Sequence, residues 1–329
     1  MWEALGFKNS LTLTGDGEKF RKLRKAYGSF LSMRNSLVYR DTQLQHARQM
    51  AGEIERCPEE WRSYISRFAI RVIFSMAFAI DIIHEDDPYV KLTDEIGWII
   101  ANMGNNGITI MDIAPWNEVI RNFKPGRSKP SFIGRLVEAR KTCKTDKKED
   151  IKYFTDAELK GTGGSLYAAG QDTTNSTMMI FVMAMVRTQR IVYETLRFHQ
   201  AVPDCIPHKT LKEDVYRGMY IPKTNAWAML HDPDIYRDPF EFNPDRFLPA
   251  SEGGANEPLP VGQFGFVCPG QYLGLASLWI AVATMLAKFN ILPSKDENGD
   301  DIMPKMEFTT GVTSHPVPFS CIFTPRNDL

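Results

Sequence analysis

This sequence predicts a mainly α fold with small β elements, on three observations. Apolar residues recur at three-to-four spacing from Phe20 to Phe78. A second long stretch, from about Asp156 through Val186, is apolar at both ends and reads as one helix. Strand-like alternation is confined to short or Pro-broken pieces, DVYRGMYIP and the run from Phe308 to Phe323.

Taken in order, FRKLRKAYGSFLSM opens the first helical region, a polar-apolar stretch runs to Glu60, and WRSYISRFAIRVIFSMAFAI follows. Further helices are expected from Leu92 to Met103 and from Phe132 to Arg140. The charged stretch KTCKTDKKEDIKYFTDAELK reads as a solvated loop and the start of the long helix. After it come a short helix, IVYETLRFH, the strand-like DVYRGMYIP, a Pro-rich stretch, DPDIYRDPFEFNPDRFLP, and a Gly/Pro loop, SEGGANEPLPVGQFGFVCPG. The last helix is expected from Gln271 to Asn290. There is no internal repeat and no sharp composition boundary, so residues 1–329 are read as a single domain, although the length would also serve two.

Composition narrows the function. The 39 basic and 40 acidic residues leave a net charge of −1, without the basic field that draws nucleic acid. At 43% hydrophobic and 24% charged, the chain buries a core. The five cysteines, Cys57, Cys143, Cys205, Cys268 and Cys321, are odd in number and form no CxxC pair, which argues against a disulfide framework. No secretory leader precedes them, and the longest apolar run, Met178 to Val186, is too short to span a bilayer, so the chain as written is expected to be soluble and cytoplasmic.

Three constellations carry chemistry. Cys268 lies in the aromatic and Gly-rich loop FGFVCPG, and a helix that is apolar almost all round begins two residues later. A buried helix starting there would aim its unsatisfied amide donors and positive dipole end at the sulfur and favour the thiolate, the form that ligates metal. Read alone, the residue is also an ordinary small buried cysteine beside a turn. Glu194 and Arg197 lie three apart on one helical face, and Arg246 in NPDRF could complete a buried Glu-Arg-Arg network; exposed, the helical pair would be a solvated one. The third is Ala169-Gly170-Gln171-Asp172-Thr173-Thr174 inside the long helix. A helical Gly costs about 1 kcal/mol and Asp and Thr compete for backbone hydrogen bonds, so a helix interrupted in this way is expected to open around a ligand, or to turn a polar patch to a loop.

Together AAGQDTT, ETLR, NPDRF and the segment Phe264 to Gly270 resemble the cytochrome P450 family in order and rough spacing, over nearly the whole chain. The wording YAAGQDTT, YETLRFH and DPFEFNPDRFLP resembles fungal P450s related to O-methylsterigmatocystin oxidoreductase, enzymes of secondary metabolism. FRKLRK is similar to the family's WRxxR helix, with Phe20 in place of Trp, followed by Arg21 and Arg24.

The resemblance implies a P450 fold holding haem b, with Cys268 as the thiolate ligand of the iron. It implies that Asp172 and Thr173 relay protons, that Ala169 and Gly170 leave room above the iron, and that Arg24 pairs with a haem propionate. Phe264 and Gly270 would frame the ligand loop, and Glu194, Arg197 and Arg246 would be structural. The implied activity is monooxygenation of a small organic substrate, with electrons from NADPH-cytochrome P450 reductase and, for a full-length relative, attachment to the endoplasmic reticulum membrane.

The chain departs from the family at clean edges. The family's cysteine loop reads FxxGxRxCxG, and here three residues are missing between Phe266 and Val267, among them the bulge Gly and a propionate-binding Arg, which removes roughly 10 Å of reach. The sequence reading also expects blocks cut after Gly126, at Val186 and after Lys223, and a family membrane anchor missing from the chain as written. These edges make the expected fold a truncated P450, from altered splicing or a wrong gene model, and leave two alternatives to a working enzyme: an impaired or haem-free remnant, and a helical interaction module in which Cys268 is a core residue.

Overall fold

The computed structural model describes residues 10–11, 14–15, 17–84, 87–90, 130–142, 154–187, 192–203, 215–216, 219–220, 230–259, 268–311 and 313–326. Its contacts divide into two compact units, Met1–Asn175 with Cys268–Met285, and Ser176–Val267 with Leu286–Leu329. Among the described residues no helix is long and apolar enough to cross a membrane.

In the first unit, helix α1 spans Glu18–Phe30 and buries Leu23, Ala26, Tyr27 and Phe30, one stripe at helical spacing. Ser32 caps the short α2, Met33–Ser36, by accepting a hydrogen bond from the Asn35 amide. Helix α3, Arg40–Arg56, packs on α4, Trp61–Phe78, which is buried along almost its entire length. Between them Arg71 donates to both oxygens of Glu53, at 2.9 Å each, and this pairing allows two charges to sit in the core. Helix α5, Phe132–Thr142, brings Phe132 against Tyr27 and Phe30, with ring centroids 5.1 and 4.5 Å apart. The expected helix from Leu92 to Met103 lies outside the described residues.

The long helix α6 runs unbroken over Asp156–Arg187, close to the span read from the sequence. A capping box starts it: the Glu158 amide donates to Thr155 Oγ1 and the Thr155 amide donates to Glu158 Oε2. Glycines let α4 approach it closely. A Cβ on Gly163 would lie 2.9 Å from Phe78, and one on Gly170 would overlap Ile73. Seven residues apart, the two glycines make one stripe on α6.

The last helix, α8, spans Gln271–Lys288 and buries Leu273, Ser277, Leu278, Ala281, Val282 and Met285. The sequence predicted a helix buried all round, but its burial is one-sided, and Trp279 is 64% exposed. The buried Gln43 of α3 fixes this face by donating to Ser277 Oγ at 2.8 Å and to the Leu273 carbonyl at 3.3 Å.

The second unit holds α7, Val192–Phe198, and a two-stranded antiparallel ladder of β1, Val215–Tyr216, with β2, Met219–Tyr220. It also contains a sheet in the order β4-β3-β5, formed by Phe289–Lys295 (β3), Asp301–Ile302 (β4) and Cys321–Pro325 (β5). Strand β3 pairs antiparallel with β5 from Phe289↔Pro325 to Pro293↔Cys321, with Phe289, Ile291 and Phe323 buried on one face. The predicted helical end at Asn290 is corrected by this pairing. The chain turns from helix to strand between Lys288 and Phe289, where distant partners on β5 satisfy its backbone better than a further helical turn would. The expected sheet element near the C-terminus is β5, preceded by an isolated bridge between Phe308 and Pro316.

Candidate active site

Cys268 precedes the first residue of α8 by three positions, and the Gln271 amide donates to its carbonyl at 3.2 Å to close the first turn. Its thiol is free and exposed. The sulfur is 3.8 Å from where a Gly270 side chain would begin, so it folds back over the start of the helix. Exposure removes the alternative of a small core cysteine. The sequence misjudged this because it took the apolar composition of α8 for burial on every side. Phe264 lies outside the described residues.

On α6, Ala169 and Thr173 are one turn apart and share a face, and Ala169 is exposed in a helix whose preceding turns are buried. The polar patch does not open the helix, contrary to expectation. Thr173 Oγ1 donates to the Ala169 carbonyl and Thr174 Oγ1 to the Gly170 carbonyl, both at 2.6 Å, so the hydroxyls are satisfied on their own helix. Asp172 is half-buried. Gly170 has a different place from the one expected: the room it leaves is filled by Ile73 of α4, so its smallness serves helix packing. Arg24 is half-buried on α1. It belongs with Ala169, Gly170, Asp172, Thr173, Cys268 and Gly270 to the first unit.

Glu194, Arg197 and Arg246 form a cluster in the second unit, each side chain 0 or 1% exposed. Arg197 donates from Nε and Nη2 to the two Glu194 oxygens at 2.8 and 2.7 Å. Its remaining donors reach the carbonyls of Leu230, Pro239 and Glu241. Arg246 donates from Nε to both Glu194 oxygens at 3.2 and 3.1 Å, and its Nη atoms reach the carbonyls of Arg237, Asp238 and Glu241. Glu194 also accepts the Asn243 amide at 2.8 Å. Two guanidiniums thus organise a run of irregular backbone that has no regular ladder to satisfy it. The sequence reading missed Glu257, whose Oε2 lies 2.7 Å from Arg246 Nη1.

Among the described residues no group of three or more His, Cys, Asp or Glu side chains could hold a metal ion.

The sequence profile described as Cytochrome P450 matches residues 116–191 and 182–323, two pieces that overlap at the end of α6. A cytochrome P450 monooxygenase of Postia placenta is 30% identical over 391 positions, which cover 99% of this chain and 76% of the relative. The tryptamine 4-monooxygenase of Psilocybe cyanescens is 27% identical over 401 positions, 98% of this chain and 77% of that protein. Among solved structures, a zebra fish cytochrome P450 with abiraterone superposes with a TM-score of 0.76 at 18% identity, covering 97% of this chain and 85% of that one. The profile match and the identity with the Postia protein, on a mainly helical fold of the same kind, establish that this chain belongs to the cytochrome P450 family, haem monooxygenases whose iron is held by a cysteine thiolate.

Proposed function

We propose that this chain carries the haem-thiolate site of its family on Cys268 and oxidises a small organic substrate with electrons from NADPH-cytochrome P450 reductase. The observation that carries the reading is the exposed Cys268 sulfur, folded over the start of α8 and shared with no other cysteine. The donor chemistry fits: one soft thiolate at a helix N-terminus suits an iron whose remaining ligands come from a macrocycle. When bound, the haem supplies dioxygen activation and transfer of one oxygen atom to the substrate.

The chain's own residues then divide the remaining work. Cys268 holds the metal as thiolate, and Gly270 keeps the helix start open beside the sulfur. Arg24 neutralises a propionate by a charge-assisted bond. Ala169 offers a small surface on the exposed face of α6, and Thr173, whose hydroxyl proton rests on the Ala169 carbonyl, would have to release that bond to relay a proton with Asp172. The fungal relatives, a tryptamine 4-monooxygenase among them, support a small organic substrate of secondary metabolism.

The reduced, carbon monoxide-bound absorption spectrum tests this assignment. The purified chain with haem should show the red-shifted Soret band of a thiolate ligand, and Cys268→Ala should lose it while Cys321→Ala keeps it. Retention of that band in Cys268→Ala would overturn the assignment.

A second reading is supported by the aligned lengths. Relatives align over 391 and 401 positions with a chain of 329 residues, so they carry segments without counterpart here, and the profile breaks at 182–191, around the expected cut at Val186. Gly126, Lys223, Phe266 and Val267 lie outside the described residues. In this reading the shortened cysteine loop weakens haem retention and leaves little turnover. Inserting Gly-Arg-Arg between Phe266 and Val267 should then raise haem occupancy. Near-stoichiometric haem and substrate oxidation by the unmodified chain would sink the impairment.

A further inference from the structure

We infer that Glu257 is the fourth member of the Glu194, Arg197 and Arg246 network and the anchor from which the segment leading to Cys268 departs. Two arginines and one glutamate buried together carry one uncompensated positive charge, a condition that the interior penalises heavily. Glu257 removes it. Its Oε2 accepts from Arg246 Nη1 at 2.7 Å, and the side chain is 8% exposed although its neighbours Asn256 and Pro258 are both exposed. Its other oxygen accepts the Arg237 amide at 3.0 Å, and its own amide donates to the Arg246 carbonyl at 2.8 Å. Glu257 is thus bound to Arg246 through both side chain and backbone.

The backbone bond has a topological result. The Asn256 amide donates to the Leu248 carbonyl at 2.8 Å, and Gly254 sits so tightly on Leu248 that a Cβ there would overlap its carbonyl. Residues 247–256 are therefore an excursion that leaves Arg246 and returns to it. The chain leaves the excursion at Glu257, at a point set by the ion network and not by the excursion's length. The network membership stands on the geometry alone, whereas the effect on the cysteine rests on the assignment of Cys268 as haem ligand. Glu257 is in this sense a positioning residue.

The test uses the full chain and two readouts, the thermal midpoint and the fraction of bound haem with the thiolate-type carbon monoxide spectrum. Glu257→Gln should lower the midpoint by on the order of 5–10 °C and reduce the thiolate fraction. Glu257→Asp should recover much of both. The exposed Glu252→Gln, and insertion of two glycines after Ser251, should leave both unchanged. A wild-type midpoint in Glu257→Gln would remove Glu257 from the network. A lowered midpoint with an intact thiolate fraction would overturn the anchoring role, as would an insertion as harmful as Glu257→Gln. If Glu257→Gln does not fold, Glu257→Asp against Glu252→Gln decides by the same two readouts. Absence of thiolate-type haem in the wild type would overturn the ligand assignment, and the midpoints would still decide membership.

Discussion

The ion network and the cysteine proposed as the haem ligand treat polar groups in opposite ways. Around Glu194 both arginines are closed off from water and every guanidinium donor group has a partner, so nothing remains to bind a ligand. At the start of α8 the thiol is exposed and shares no bond with another cysteine. The contrast separates rigidity from reactivity. A buried network fixes irregular backbone because each member is costly to remove, and a ligand position must keep a valence to spare.

The largest effect should come from breaking the closed region. Arg197→Ala leaves Glu194 and several carbonyls buried with fewer partners, and should cost about 3–5 kcal/mol, read as a lower denaturant midpoint together with loss of folded yield. Wild-type stability in this variant would erase the distinction drawn above. Next in size are the glycines. Gly170→Ala gains about 1 kcal/mol of helix propensity but drives a methyl into Ile73, an overpacking cost of about 1–3 kcal/mol, so a net loss is expected. Gly28→Ala on α1 meets open space and should stabilise, and equal effects at the two sites would contradict the close approach of α4 and α6.

A smaller, pH-dependent effect is expected at His199. Its ring stacks on Phe308 with centroids 3.5 Å apart. Its Nε2 lies 2.9 Å from Ser314 Oγ, which itself donates to the Thr309 carbonyl, so the histidine is the donor. Burial, reinforced by the neighbouring His231, lowers its pKa from 6.5 to about 4. The unfolded chain takes up a proton near pH 6.5 that the folded chain refuses until about 4. Stability is therefore full above pH 6.5 and declines as pH falls from 6.5 toward 4. His199→Gln should flatten that decline in denaturation midpoints measured across the interval. The smallest effect on stability should be that of Cys268→Ala, within about 0.5 kcal/mol because the side chain is exposed, even as the spectrum changes completely.

Much of the helical framework was legible because its signal is local. Asp156 to Val186 was readable from apolar periodicity, and α6 ends one residue later. The end of α8 was not legible, because no Gly or Pro marks the change at Phe289 and the strand exists through pairing with residues 28 to 36 positions away. The face of α6 on which Gly170 sits was also beyond the sequence, since only the neighbouring helix says where its missing Cβ would point. Glu257 hid in a Gly/Pro-rich, mostly exposed run, although counting two arginines against one glutamate supplied a reason to look for a second acid.

The brace also has an order in time. All its donors and acceptors, from Glu194 through Leu230, Arg237, Asp238, Pro239, Glu241, Asn243 and Arg246 to Glu257, lie within one uninterrupted stretch of chain. At a synthesis rate of about 5–20 residues per second, the polypeptide needed for the brace is complete on the order of a second before Cys268 is added. A nascent chain thus holds every residue of the network before it makes Cys268, the cysteine proposed here as the ligand.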